Sequence, residues 1–209
     1  REASNSQIIC EQILKETNIN LEIISGDEEA RLIFSNFHLS SLDETSNYIF
    51  IDVGGGSTEL SLIEGGVKTA SKSFKVGSVR QLNVVDTKNV KSKMKKWINS
   101  SVQEKSKITA IGTGGSINKL YSLGEHSLQA PLGYKSLDKI LNLIRSYDYE
   151  QRVRILKLKP DRADVIIPSG DIYKLVMECA NADKIIVPKV GLSDGMIYNL
   201  FLSKELESF

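Results

Sequence analysis

Residues 52–59 read Asp-Val-Gly-Gly-Gly-Ser-Thr-Glu, and they constrain the fold of this chain more than any other segment. The apolar run at 48–51 predicts a buried strand before them, and the alternation of apolar and polar residues over 58–63 predicts a second strand. The three glycines would therefore form the turn of a β-hairpin. Because glycine has no Cβ, such a turn can take positive φ and bring backbone N–H groups close to an anion such as phosphate.

Two carboxylates bracket this turn, since Asp52 and Glu59 stand seven positions apart. An acidic side chain at the end of a buried strand costs free energy unless something pairs with it. Acidic groups flanking an anion can hold a divalent cation or position a water molecule. We therefore interpret Gly54, Gly55, Gly56 and Ser57 as a phosphate-binding turn, with a tight hairpin that binds nothing as the alternative. The segment matches neither the dinucleotide fingerprint nor the P-loop.

A second glycine cluster, Gly-Thr-Gly-Gly-Ser, occupies residues 112–116. It follows an apolar strand at 108–111 and precedes a helical run at 117–123. Free N–H groups and the helix dipole at a helix N-terminus favour an anion, so Gly112, Gly114 and Gly115 are candidate phosphate or nucleotide contacts. The alternative is a close contact between helix and sheet in which only glycine fits.

The composition narrows the function classes. The 209 residues carry a formal net charge of +1, which gives no reason to expect nucleic acid or an anionic membrane as a partner. Two cysteines without metal spacing favour a reducing compartment, so we expect a cytoplasmic protein without a membrane span. The lysines between positions 88 and 96 are interpreted as the solvated face of a helix.

Hydrophobic periodicity predicts an α/β fold. We expect strands near 21–24, 48–51, 58–63, 67–74, 107–111 and 184–187, and helices near 7–17, 27–37, from 78, from 88 to 103, 117–123, 137–146, 169–180 and 193–203. Antiparallel hairpins followed by alternating helices and strands imply a mixed sheet, with later strands parallel and helices on both faces.

Two further charged residues are candidates for the site. Ser25 and Glu28 have the spacing of a capping box, and Glu29 lies about 100° further round the same helix. Glu29 is therefore available to face a cleft as a general base toward water, although the spacing alone favours a solvated surface glutamate. Arg162 suits either a phosphate contact or an ion pair at a helix start, and we favour the ion pair.

Taken in order, the segments 25–32, 52–59, 112–115, 162–164 and 191–195 resemble the exopolyphosphatase and guanosine pentaphosphate phosphatase (Ppx/GppA) family. The resemblance implies the actin-like ATPase (ribonuclease H-like) fold, in which two related lobes enclose a cleft. It also implies Mg²⁺-assisted hydrolysis of a terminal phosphoryl group from inorganic polyphosphate or from guanosine pentaphosphate, pppGpp.

The resemblance assigns roles by motif position. Glu29 is similar to the family's general base, and Asp52 and Glu59 to its metal and water ligands. The phosphate cradle would be Gly54–Ser57, with the second glycine cluster at the nucleotide segment. A binding lobe that holds a nucleotide or polyphosphate without hydrolysis remains the alternative.

The family's first lobe opens with an Asp-x-Gly-Ser hairpin, and no such segment occurs in this sequence. We therefore expect residues 1–45 to be the C-terminal remnant of the first lobe and residues 46–209 to form the second lobe. An isolated second lobe would expose the face that meets its other half, which leaves open both homodimerisation and a loss of activity.

Overall fold

The computed structural model describes residues 4–25, 28, 31, 32, 35, 42, 43, 45–79, 87–102, 107–124, 130–188 and 192–207. The described strands are β1 (Asn47–Val53), β2 (Thr58–Glu64), β3 (Val67–Phe74), β4 (Ile108–Thr113), β5 (Leu132–Gly133) and β6 (Lys184–Ile186). The described helices are α1 (Ser6–Thr17), α2 (Thr87–Ser101), α3 (Gly115–Leu123), α4 (Tyr134–Arg145), α5 (Tyr149–Arg154), α6 (Pro160–Ala163), α7 (Ile166–Cys179) and α8 (Leu192–Glu207).

The six strands form one mixed sheet in the order β3-β2-β1-β4-β6-β5. The first three strands pair antiparallel, β4 pairs parallel with both β1 and β6, and β5 closes the edge antiparallel to β6. This confirms the predicted mixed sheet. Because β1 and β4 run in the same direction, their carboxyl ends meet at one edge, where Asp52 and Thr113 are register partners.

Strand β1 contributes to the interior on both of its faces. Ile49, Ile51 and Val53 belong to the main hydrophobic core, which also includes residues of α2, α3, α4 and α7. Tyr48 and Phe50 belong to a smaller cluster with Ile63 and Ile111. Since side chains alternate between the faces of a strand, Asp52 lies on the face of Tyr48 and Phe50. The site therefore begins where this smaller apolar cluster ends.

Helix α7 is held close to α4 at a glycine. A Cβ on Gly170 would lie 2.3 Å from Cδ2 and 3.1 Å from Cγ of Leu141, so the two helices can approach this closely only without a side chain at position 170. This contact positions α7, which carries Ser169 and Tyr173 toward the carboxyl end of β4.

The sequence predictions failed in a few places. No strand forms at 21–24, where Leu21 and Ile23 are 46% and 45% exposed; none of the described strands lies beside this short apolar run to pair with it. The short elements β5, α5 and α6 were not predicted. The helices expected at 27–37 and from 78 fall mostly outside the described residues.

Within the described part of the chain, no helix combines the length and apolar character needed to cross a membrane.

Substituting Gly170→Ala should test the helix contact. We expect the free energy of unfolding to fall by about 1–3 kcal/mol, because the added methyl group overpacks against Leu141, even though alanine favours helix formation. In a Leu141→Ala background the same substitution should cost less than about 0.5 kcal/mol, since the cavity accepts the methyl group. Urea denaturation of the four proteins measures this coupling, and equal costs in both backgrounds would contradict it.

Candidate functional site

The glycine turn between β1 and β2 is closed by its own backbone. The Gly54 N–H donates to the Ser57 carbonyl at 2.9 Å, and Gly55 and Gly56 are exposed at the tip. The expected positive φ angles do not occur in this turn; among the described glycines they occur at Gly65, Gly66 and Gly114. The close approach of another segment to this turn depends instead on a glycine outside it, Gly77.

That approach comes from the segment 76–79, which lies against the turn. The Ser78 N–H donates to the Gly54 carbonyl and the Val79 N–H to the Gly55 carbonyl, both at 3.0 Å. A Cβ on Gly77 would lie only 2.5–2.6 Å from these carbonyl oxygens. The turn is thus shaped by backbone hydrogen bonds to a segment distant in sequence.

Four polar residues form a row across the sheet beside this turn. In the strand register Ser73 pairs with Glu59, Glu59 with Asp52, and Asp52 with Thr113. Register partners project on the same face of a sheet, so this polar row places both predicted carboxylates next to each other. The pairing confirms that the hairpin brings Asp52 and Glu59 together.

Hydrogen bonds hold both carboxylates of the polar row. Glu59 Oε1 accepts from Ser57 Oγ at 2.7 Å and from Ser73 Oγ at 3.1 Å, and Asp52 Oδ1 accepts from Thr113 Oγ1 at 3.0 Å. Glu59 is buried at 6% exposure and Asp52 is half-buried. Donors to a buried carboxylate offset the cost of removing it from water, so both groups are fixed in place.

The polar row fits a magnesium ion by its chemistry. Within the described residues no group of three or more His, Cys, Asp or Glu is placed to hold a metal. However, Mg²⁺ keeps several water ligands and is commonly held by one or two carboxylates together with substrate oxygens. The hard oxygen donors of Asp52 and Glu59 match that requirement.

The second glycine cluster divides into two roles. Gly112 is buried within β4, and a Cβ there would lie 2.7 Å from Ile185 Cδ1 and 3.0 Å from Ile117 Cγ1. Packing between helix and sheet accounts for this glycine, as the alternative from the sequence proposed, and its contact with phosphate stays a prediction.

Gly114 stands at the N-cap of α3 with φ 106° and ψ 161°, a conformation that is essentially restricted to glycine. A Cβ there would lie 3.3 Å from Asp52 Oδ1. The N-terminus of α3 therefore adjoins the polar row, and Gly115, its first residue, is exposed.

Arg162 lies against the start of α3, and this corrects the ion pair that we expected. The Arg162 Nη1 donates to Ser116 Oγ at 3.3 Å, and a Cβ on Gly115 would lie 2.6–2.9 Å from the guanidinium. Among the described residues Arg162 has no carboxylate partner, and Asp164 is exposed. The guanidinium adds to the positive potential of the helix N-terminus, so this placement is suited to a bound anion.

Tyr173 connects α7 to the polar row. Its buried hydroxyl donates to the Thr113 carbonyl at 2.5 Å. Burial raises the pKa of Tyr173 well above its usual value, the negative charge of Asp52 raises it further, and the Val53 backbone and Arg162 act in the opposite direction. The phenol therefore remains a neutral donor at physiological pH.

Glu29 lies outside the described residues, so its role as a general base stays a prediction. Its neighbours confirm half of the expected capping box, since the Glu28 N–H donates to Ser25 Oγ at 3.1 Å. The Glu28 carboxylate instead pairs with Arg31 at 2.7 Å, which lowers the pKa of Glu28.

Sequence reasoning missed Ser73, Thr113 and Tyr173. Thr113 and Ser73 lie beside the carboxylates because β4 pairs with β1 and β3 pairs with β2. No short stretch of sequence indicates this register.

Gly114→Ala should lower the free energy of unfolding far more than an alanine substitution at a glycine with open space around it. We expect it to lower the free energy of unfolding by about 2–4 kcal/mol, because it combines backbone strain with crowding of Asp52. Gly65→Ala, at φ 57° with no atom within 4 Å of the added Cβ, should cost only about 1 kcal/mol and is the matched control. Urea denaturation measures both, and equal costs would show that the contact with Asp52 contributes nothing.

Tyr173→Phe should reveal the raised pKa through the pH dependence of stability. At pH 7 we expect the free energy of unfolding of the variant to be about 1–3 kcal/mol lower than that of the wild type, because the Thr113 carbonyl loses its buried donor. Above about pH 10 the unfolded chain releases the phenolic proton while folded Tyr173 retains it. The wild type then loses stability that the variant keeps, so the difference between them should shrink by about 1.4 kcal/mol per pH unit. A difference that is constant from pH 8 to 11 would contradict the raised pKa.

Known proteins share this architecture. An exopolyphosphatase from Cytophaga hutchinsonii superposes with a TM-score of 0.81 at 22% identity, over 96% of this chain and 71% of that one. A Ppx/GppA family member from Aquifex aeolicus gives a TM-score of 0.74 at 21% identity, over 97% of this chain and 71% of that one. These similarities confirm the predicted fold.

Curated relatives agree with the structural ones. A bifunctional 3-dehydroquinate synthase/phosphatase from Fusobacterium nucleatum is 28% identical over 90% of this chain, which corresponds to 31% of that protein. A guanosine-5'-triphosphate,3'-diphosphate pyrophosphatase from Aliivibrio fischeri is 26% identical over 96% of this chain and 43% of its own length. The chain thus spans less than half of the length of these relatives. The model of the Ppx/GppA phosphatase family matches residues 1–204, and the chain belongs to this family.

Proposed function

We propose that this chain carries a phosphohydrolase site that releases terminal orthophosphate from inorganic polyphosphate or from pppGpp. The observation that carries the proposal is the polar row, in which Asp52 and Glu59 are register partners beside an exposed glycine turn. The names of the relatives support the same chemistry, since they include an exopolyphosphatase and a guanosine-5'-triphosphate,3'-diphosphate pyrophosphatase.

The charges around the site suit a phosphate group that approaches a cation. The N-terminus of α3 and the Arg162 guanidinium present positive charge. The 54–57 turn exposes its backbone at the tip, where a phosphate can approach closely. Asp52 and Glu59 would repel a phosphate that approached alone. Mg²⁺, held by these two carboxylates when bound, would neutralise charge on the transferred phosphoryl group.

Polar groups stabilise a transition state most when they are already in place before the reaction. The hydroxyls of Ser57, Ser73 and Thr113 hold the two carboxylates, so little reorganisation is needed when substrate binds. We propose that Glu29 orients the attacking water for in-line displacement of the terminal phosphate. This role rests on the position of Glu29 in the family motif.

The proposal also includes a second lobe. Because the chain covers 31% and 43% of two curated relatives, we propose that turnover requires a second lobe opposite the polar row. The thiols of Cys10 and Cys179 are free, which accords with a cytoplasmic location. Polyphosphate and pppGpp both end in a phosphoanhydride, and the same site would accept either terminus.

Substitution of the carboxylates tests the proposed chemistry. With the first lobe restored and Mg²⁺ present, Asp52→Asn and Glu59→Gln should each lower orthophosphate release by about a hundredfold or more, because the transferred phosphoryl group loses its charge stabilisation. Glu64→Gln, at the opposite end of β2, changes the same charge away from the site and should leave release unchanged. Colorimetric phosphate release from long-chain polyphosphate and from pppGpp provides the measurement.

A separate substitution tests the general base. Glu29→Gln should lower turnover by about two to four powers of ten while binding of substrate remains nearly intact. Equal losses in turnover and binding would contradict this role. Tight binding of polyphosphate without release by the wild-type protein would favour a lobe that binds phosphate and performs no hydrolysis.

A further inference from the structure

The structure contains a cationic groove on the other face of the sheet from the polar row. Its volume is about 650 Å³, and its lining includes Lys72 and Lys75 at the end of β3, Lys93 and Lys96 of α2, and the rings of Phe74 and Trp97. We refer to this feature as the lysine groove. Lys72 and Phe74 pair with Leu60 and Thr58, so they project opposite to Ser73, which faces Glu59.

Four lysines from two elements converge on this groove, and its described lining contains no acidic residue. All four are exposed, and the whole chain has a formal net charge of only +1, so this concentration of positive charge is local. Lys93 and Lys96 stand three positions apart on α2 and therefore share a side of that helix. Like charges gathered around a concavity attract an anionic ligand.

The floor of the groove is aromatic. Phe74 is buried, Trp97 is half-buried, and their rings meet edge to face with centroids 5.9 Å apart and an interplanar angle of 68°. The Lys72 ammonium lies 5.6 Å from the centroid of the Phe74 ring. An aromatic floor surrounded by ammonium groups suits a ligand that combines an aromatic ring with phosphates.

We infer that the lysine groove binds a nucleotide, with the base against Trp97 and the phosphates among the lysines. Base-aromatic stacking is favourable for every base, whereas an inorganic polyanion has no apolar part to cover the floor. The site adjoins the polar row at Ser73, which also lines the groove, but its lysines and rings are distinct from the residues of the proposed phosphohydrolase site. Its existence does not depend on hydrolysis.

Trp97 provides a direct reporter because it is the only tryptophan in the chain. Titration of the whole protein with ATP or GTP, without Mg²⁺, should change its fluorescence saturably, with calorimetry confirming the affinity. We expect the nucleotide to bind at least about tenfold more tightly than adenosine or tripolyphosphate, since each of these lacks one half of the ligand. Equal affinity for tripolyphosphate and ATP would overturn the nucleotide assignment, and so would the absence of any saturable change.

Variants of α2 distinguish specific binding in the lysine groove from non-specific attraction of an anion to surface lysines. The double variant Lys93→Gln/Lys96→Gln should weaken nucleotide binding about tenfold or more, because charge-assisted hydrogen bonds to phosphate are lost. The control Lys88→Gln/Lys95→Gln removes the same charge from the same helix outside the groove lining and should have little effect. Equal weakening in both variants would contradict a specific site.

A last variant distinguishes the two sites. Glu59→Gln alters the polar row and should leave the fluorescence titration unchanged, even if it abolishes phosphate release. If Glu59→Gln removed the fluorescence response while Lys93→Gln/Lys96→Gln retained it, the nucleotide would bind at the polar row and the inference would be wrong. Failure of phosphate release alone would bear only on the proposed hydrolysis.

Discussion

The register between β1 and β2 is the constraint on which the site depends. It pairs Asp52 with Glu59 on one face and, one residue earlier, Ile51 with Leu60 on the other. Ile51 and Leu60 are 0% and 1% exposed in the main core. A slip of one residue would exchange the faces, placing carboxylates in the main core and removing Ile51 and Leu60 from it, so the core that stabilises the hairpin also fixes the site.

The electrostatics of the site follow from the groups that lie at the carboxyl ends of β1 and β4. The hairpin presents two carboxylates at the carboxyl end of β1, and the adjacent β4 ends at Thr113 and leads through Gly114 into α3. A helix N-terminus, reinforced by Arg162, therefore lies beside a pair of anions. The carboxylates can hold a cation, and the helix start can hold an anion. A metal ion bound together with a phosphate satisfies both.

Local features were predictable from the sequence and nonlocal ones were not. The hairpin, the Gly65-Gly66 turn and most helices follow from periodicity and turn residues within a few positions of each other. The positions of Ser73 and Thr113 depend on strand pairing, and the shape of the 54–56 turn depends on the close approach of Gly77. Arg162 reaches Ser116 across 46 positions, a contact that its own Asp-Arg-Ala-Asp segment could not indicate.

Strand β3 links the polar row and the lysine groove through its alternating side chains. Ser73 donates to Glu59 on one face, while Lys72 and Phe74 line the groove on the other. An edge strand with lysines also resists pairing with another sheet. The same charges thus protect the edge and prepare the groove for an anion.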